Sequence, residues 1–261
     1  MGELYCIPRL QDIKKYLEFA EKYNACFEYN DFFIPKILDD SFAIDKVVKQ
    51  YMEVRHVCLQ DTIHGAFLDI CVNSEDPEIF AASDYRVHQC MDIAKRMNAK
   101  AVVFHTNYIV NFRLRTYIDS WINRNEEYWR RIINEYKDQY IYIENMFDDA
   151  PFMLAELAKR MADEPHFGVC FDIAHAFISG SPVEDWYNVV SPYVKHIHAN
   201  DNDGVEDLHN PVGEGRLEWD VFDSWCRGFK DKPSLLVEVR SFEDLEKSVK
   251  YMQEHNIYPF G

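Results

Sequence analysis

A closed (β/α)8 TIM barrel, eight parallel strands with outer helices, is the fold class this sequence predicts, with residues 1–261 forming a single domain. Three observations carry that prediction. Short β-rich runs alternate with longer amphipathic stretches, as expected where each parallel strand is followed by a covering helix. There are eight such runs, the number that closes the ring. Six of them hand over to a residue of metal-ligand type, namely His64, His105, Glu144, Asp172, His198 and Glu238. A closed barrel brings the carboxyl ends of all its strands around one mouth. In a doubly wound open sheet, the rival with the same alternation, only strands beside the switch point reach a common site.

The strand candidates are 3–7 (ELYCI), 25–29 (ACFEY), 56–60 (HVCLQ), 100–105 (KAVVFH), 140–144 (YIYIE), 167–172 (FGVCFD), 194–198 (VKHIH) and 234–239 (SLLVEV). Between them apolar residues recur at steps of three and four, as in Ile13, Tyr16, Leu17, Ala20 and in Leu154, Leu157, Ala158, Met161. That period gives each helix one face to lay on the sheet. Asp76 before Pro77 and Ser181 before Pro182 mark helix starts, where the missing proline N–H is not needed, and Asn98 and Asn256 mark ends. The longest helix is expected within 114–138, with Trp121, Tyr128, Trp129 and Ile132 on its apolar face.

Composition narrows the class of protein. A chain of 261 residues that is 48% hydrophobic can bury one large core, and no Pro-, Gly- or Ser-rich linker divides it. Neither a secretory signal nor an apolar run long enough to span a bilayer is visible, so no membrane is expected. The seven cysteines are odd in number, scattered and without a CxxC pair, which predicts reduced thiols and a cytoplasmic location. With 45 acidic against 28 basic side chains the formal charge is -17, a field that repels polyanions and makes nucleic acid an unexpected partner.

Of the ten histidines, His56, His88, His166, His196 and His255 lie at strand starts, in helices or in turns and receive no role. The others are placed differently. His105 ends AVVF, His198 ends VKHI, and His64 follows VCLQDTI, each where a strand passes into its loop. Glu144 closes YIYI and Glu238 closes SLLV. A carboxylate at the end of so apolar a strand is expensive to bury without a cation or hydrogen-bond donors. In FDIAHAF, Asp172 and His175 converge on one ion if the strand turns sharply, or else Asp172 is simply a helix cap. The stretch HIHANDNDGVEDLHNPVGEGRLEWD adds Asp207 and His209 to the same mouth, followed by Gly213 and Gly215 around Glu214.

The order of these motifs, IHG, VFH, IEN, FDIAH, HIHAND, DLHNPVGEG and VEV, resembles the xylose isomerase-like TIM barrel superfamily. That superfamily includes sugar phosphate isomerases and epimerases and the endonuclease IV branch (AP endonuclease family 2). In the ketose epimerase branch, the resemblance implies that Glu144, Asp172, His198 and Glu238 hold one divalent ion. There Glu144 and Glu238 also move protons through a metal-stabilised enediolate, and His175 lies beside the substrate. In the endonuclease branch the same four, with His64, His105, His175, Asp207 and His209, match a set that holds three zinc ions.

Two chemistries therefore share one set of ligands, and a dehydratase on the same site is a third. The first is isomerisation or epimerisation of a sugar, sugar phosphate or related hydroxy-carbonyl compound, with Mn or Zn as the expected ion and Mg or Co as alternatives. The second is phosphoester hydrolysis by a zinc cluster. One divalent ion against three carboxylates leaves a charge of about -1, suited to a neutral polyol, whereas three ions against four leave about +2, suited to a phosphate. The expected partner is a small sugar-like molecule, contacted by Arg240, Asn107 and Arg216, with Arg113 and Arg115 the other basic groups near the mouth. Tyr5, Phe32, Phe67, Tyr108, Phe147, Phe177 and Trp219 fall near loop ends, more as packing than as pocket walls. A homo-oligomer is compatible with the exposed aromatics.

Overall fold

Backbone pairing runs in parallel from each strand to the next and returns from the eighth to the first, which closes the barrel. The computed structural model describes residues 3–54 and 60–261. The strands are β1 (Leu4–Cys6), β2 (Cys26–Tyr29), β3 (Thr62–His64), β4 (Ala101–His105), β5 (Tyr140–Glu144), β6 (Phe167–Asp172), β7 (Val194–Ala199) and β8 (Ser234–Val237). Nearly every strand residue is buried, as expected of parallel strands filled on the inside and covered on the outside.

The third strand departs from the sequence reading. Residues 55–59, most of the HVCLQ run, lie outside the described residues, and the barrel strand is Thr62–His64. Its register is fixed by pairs on both sides, Glu28 with Thr62 and Thr62 with Ala101. Asp61, just before it, accepts from Phe27 N at 2.9 Å and from Tyr29 Oη at 2.9 Å, which ties its start to β2. A strand of three residues is too short to stand out against a longer β-rich neighbour.

Helices cover the ring as α1 (Ile13–Tyr23), α2 (Pro35–Leu38), α3 (Ser41–Val54), α4 (Pro77–Met97), α5 (Arg115–Glu135), α6 (Phe152–Arg160), α7 (Ile173–Ile178), α8 (Val183–Val190), α9 (Trp219–Gly228) and α10 (Phe242–Glu254). Asp76 caps α4 by accepting from Glu78 N at 2.9 Å, and Asn98 ends it in the left-handed region, where asparagine is tolerated. The start marked by Ser181 falls two residues later, at Val183. The longest-helix expectation is met by α5, whose 21 residues α4 equals. Trp121, Tyr128, Trp129 and Ile132 are all buried on its inner face. No helix among the described residues is long and apolar enough to cross a membrane.

Cysteine chemistry is corrected in one place. Cys6, Cys71, Cys90, Cys170 and Cys226 are free thiols, but Cys26 is disulfide-bonded. Scattered spacing carries no information about which cysteines meet in space.

Candidate metal centre

Four strand ends supply the centre. Glu144 is the last residue of β5, Asp172 the last of β6, His198 lies one residue from the end of β7, and Glu238 follows β8 directly. One ligand atom from each lies within 4.8 Å of all the others. Asn145 locks the first two strand ends together, donating to Asp172 O at 2.8 Å and accepting from Asp172 N at 2.9 Å. Asp172 Oδ1 accepts from His175 N at 2.6 Å, so the cap of α7 also aims the carboxylate.

What remains free on these side chains is informative. Glu144 Oε2, Asp172 Oδ2, His198 Nδ1 and Glu238 Oε2 are buried and make no hydrogen bond. His198 Nδ1 lies 3.2 Å from both Glu144 Oε2 and Glu238 Oε2. Unpaired buried lone pairs on several carboxylates and an imidazole are strongly unfavourable unless a cation joins them. The donor set fits a divalent ion.

Electrostatics give the same picture. Burial pushes the Glu144 carboxyl up, but the imidazoles of His198 and His105 outweigh it and hold it well below the usual range. Glu238 is likewise lowered, because His198 and His209 overcome burial. Asp172 goes the other way, pushed up to about 7 by burial and by the neighbouring Glu144, Glu238 and Asp207 charges.

Further histidines surround this core, and their tautomers are set by what holds them. His64 Nδ1 lies 3.0 Å from Gly65 O, His175 Nδ1 2.8 Å from Asn145 O, and His209 Nδ1 3.1 Å from Glu238 O. A carbonyl only accepts, so each Nδ1 carries a proton and each ring turns Nε2 outward. Those Nε2 atoms meet carboxylates. His64 is 3.9 Å from Glu144 Oε2, and His175 and His209 are 3.4 and 3.1 Å from Asp207 Oδ2. His105 Nε2 lies 3.3 Å from Glu144 Oε2, and His64, His105 and Glu144 form a second group with ligand atoms within 4.8 Å. Burial lowers the His209 imidazole, but Glu238 and Asp207 prevail and bring it up to about 9.

The loop carrying Asp207 and His209 is organised by Asp201, which accepts from Gly213 N at 3.0 Å, Leu217 N at 3.1 Å and Trp219 Nε1 at 2.8 Å. Gly213 has φ +88, and a side chain there would run into the Tyr251 ring. Gly215 sits so close to Asp201 that no Cβ fits. The two glycines of NPVGEG therefore let the loop fold back over the mouth.

A cavity of about 480 Å³ opens above these side chains, the size of a small-molecule site. His64, His105, Glu144, His175, Asp207, His209 and Glu238 line its polar side, and Arg240 lies at its edge. Phe67 packs edge-on against His105 at 4.7 Å between centroids, and Phe147 covers His175 at 5.2 Å. Asn107 and Arg216 are not in the lining. Asn107 donates to Phe67 O at 3.2 Å and Arg216 to Asp203 O at 3.1 Å. Arg113 and Arg115 pair with Asp149 and Asp119 on the surface. Tyr5, Phe32 and Trp219 are buried packing residues.

Sequence reasoning missed several groups. Arg9, Asn30, Asp31 and Phe33 line the cavity from the loops after β1 and β2, where no motif draws attention. Glu28, in the middle of β2, is fully buried. Its Oε2 accepts from Thr62 Oγ1 at 2.7 Å and lies 3.3 Å from His196 Nε2, while Oε1 lies 3.1 Å from His198 Nε2, near in distance though off the hydrogen-bonding axis. His196 Nδ1 is in turn 2.7 Å from Ser234 Oγ. Cys170 also approaches both histidines, but burial pushes its thiol well up and keeps it neutral.

Comparison with known proteins places this geometry. The uncharacterized protein MJ1311 of Methanocaldococcus jannaschii is 24% identical over 221 residues, 80% of this chain and 75% of that one. A D-tagatose 3-epimerase-like protein superposes with a TM-score of 0.75 at 20% identity, over 98% of this chain and 97% of that one. An IOLI protein with a bound zinc atom superposes with a TM-score of 0.68 at 17% identity, over 97% of each chain. Likenesses this distant establish the fold. The sequence pattern described as "Xylose isomerase-like TIM barrel" matches residues 15–255, nearly the full length, and the chain belongs to that family.

Proposed function

We propose that this protein is a divalent-metal-dependent isomerase or epimerase of a small sugar or related hydroxy-carbonyl compound, with Glu144, Asp172, His198 and Glu238 holding the ion. The observation that carries the reading is the convergence of four buried, unpartnered ligand atoms beneath a small-molecule cavity. Three carboxylates and one imidazole suit Mn or Zn best, with Mg or Co as alternatives. When bound, such an ion supplies Lewis-acid polarisation of carbonyl and hydroxyl oxygens.

The chain's own residues do the rest. Glu144 and Glu238 come from β5 and β8, so they approach the cavity from different strands, and both are held ionised by imidazoles. One, ionised, takes a proton from the carbon beside the carbonyl, and the other, having taken up a proton from solvent, delivers it to that carbon, after which exchange with solvent resets both. His175, anchored by Asn145 O, turns Nε2 to the cavity and orients a hydroxyl. Arg240 and Arg9 grip the distal end of the substrate.

A second reading, phosphoester hydrolysis by several zinc ions, is favoured by the His64, His105, Glu144 group and by the convergence of His175 and His209 on Asp207. Metal analysis of protein purified without added metal separates the two, followed by a screen of ketoses and their phosphates in deuterated water and of an abasic-site duplex. One ion with solvent deuterium entering a ketose supports the isomerase. Three zinc ions with duplex cleavage and no exchange would replace it with the phosphoesterase.

A further inference from the structure

We infer that Glu28 is a positioning residue for the metal centre: a carboxylate one layer below the rim that faces the Nε2–H of His198 and holds the proton on that nitrogen, so that Nδ1 meets the ion with its lone pair. The inference rests on the metal-binding reading above.

Glu28 Oε1 lies 3.1 Å from His198 Nε2, off the hydrogen-bonding axis but closer than any other charged group to that nitrogen, and an ionised carboxylate can only accept. Carboxylates flank both ring nitrogens, so it is an ion at Nδ1 that would place the ring's one proton on Nε2, facing Glu28. In the neutral ring that leaves Nδ1 unprotonated, and Nδ1 is the atom between Glu144 and Glu238. The other anchored histidines of the mouth make an instructive contrast. His64, His175 and His209 each rest a nitrogen on a backbone carbonyl, whereas the group beside His198 Nε2 is a charged side chain. A charged acceptor makes the imidazole a stronger donor to a cation than a neutral carbonyl does.

Glu28 is itself held in place. Thr62 donates to its second oxygen at 2.7 Å, and His196, tethered to Ser234 at 2.7 Å, flanks the same oxygen at 3.3 Å. It does not line the cavity, so it acts through His198 and not on a substrate. Burying a carboxylate completely is costlier than using one of the carbonyls a barrel strand already offers. The gain lies in tuning the ligand.

The test is zinc affinity, measured by competition with a chromogenic chelator on wild type and Glu28→Gln. Affinity is expected to fall about 10- to 100-fold in the variant, while the metal-free variant melts below the wild-type temperature because one partner of a buried charge cluster is gone. Long-range proton–nitrogen NMR of zinc-loaded wild type should show His198 with an exchange-protected proton on Nε2. A purely structural Glu28 gives the lower melting temperature with unchanged zinc affinity. If the variant does not fold, the wild-type spectrum decides, and an Nε2 without a protected proton overturns the proposal. Wild type that takes up no zinc overturns the metal reading together with this one, whereas equal affinity in both proteins overturns the role of Glu28 alone.

Discussion

His196 and His198 stand two residues apart on β7, on the same face of the strand and both fully buried, yet they belong to different kinds of structure. Around His196 most polar groups are paired: Ser234 meets one nitrogen, Thr62 donates to Glu28 and Tyr142 stacks on the ring, while Glu28 lies 3.3 Å from the other nitrogen without a hydrogen bond. Around His198 they crowd without pairing, since carboxylates from β5 and the end of β8 both face Nδ1 and neither makes a hydrogen bond there. Both layers contain buried charge. Only the upper one leaves lone pairs converging beneath a cavity, and that incompleteness, more than burial or residue type, distinguishes a site from a polar core.

The largest effects should come from the upper layer. Glu238→Gln is expected to lower turnover by on the order of 10²- to 10⁴-fold in a deuterium-exchange assay, with the circular dichroism spectrum unchanged. Asp172→Asn should lose zinc affinity by more than about 100-fold, beyond what outer-sphere changes produce. It should also stabilise the metal-free protein, because its carboxyl, pushed up to about 7, is buried among like charges. Wild-type turnover in Glu238→Gln would break the contrast between the two layers at its root.

Next in size is the ion itself. If the rim is incomplete without a cation, zinc at about a thousand times its dissociation constant should add roughly 4 kcal/mol of stability. For a chain of this size that is on the order of 10 °C in melting temperature. A melting curve unmoved by zinc, manganese or a chelator would mean that the rim groups satisfy each other after all.

Acidity sharpens the same contrast by a few kcal/mol. His209 is raised to about 9 from an ordinary 6.5, so the stability it contributes is complete below pH 6.5 and is lost as pH climbs through 9. Asp172, raised to about 7 from 3.8, acts in the same direction, losing its share between pH 4 and 7. Metal-free protein should therefore be less stable at pH 9 than at pH 6 by roughly 2 to 4 kcal/mol in urea titrations. Bound ions displace these protons, so the loaded protein should show a flatter profile and release protons on loading. Equal slopes with and without metal would separate the titrating groups from the ion site.

How much of this was legible in the sequence follows from where each residue sits. The barrel and the bounds of β5 and β6 were readable because long apolar runs end abruptly in Glu144 and Asp172. The nine ligand-type residues stood at strand ends or in the loops that follow, which is where a barrel gathers its site. Glu28 was not readable as functional, since a glutamate in CFEY looks like the outward residue of an alternating strand. The available signal was that a parallel barrel strand has no solvent face, so a charge in mid-strand needs a partner inside. Arg9 escaped because a loop arginine shows its direction only once β1 and β2 are placed. Asn107 and Arg216 illustrate the converse, with side chains near the mouth in sequence that bond to loop carbonyls.

The smallest expected effect tests the lower layer. Thr62→Val keeps the side-chain shape and removes the one hydroxyl that donates to Glu28 Oε2 at 2.7 Å. Losing a hydrogen bond to a buried charge should lower stability by about 1.5 to 3 kcal/mol in urea unfolding of the metal-free protein. Zinc affinity should fall by less than about tenfold, because Glu28 still faces both imidazoles. The ratio of the two effects is the informative quantity. A self-sufficient polar core shows its loss mainly as stability, so a Thr62→Val protein of wild-type stability with zinc affinity reduced as far as in Asp172→Asn would mean that the lower layer is part of the metal centre and that the boundary drawn between His196 and His198 is in the wrong place.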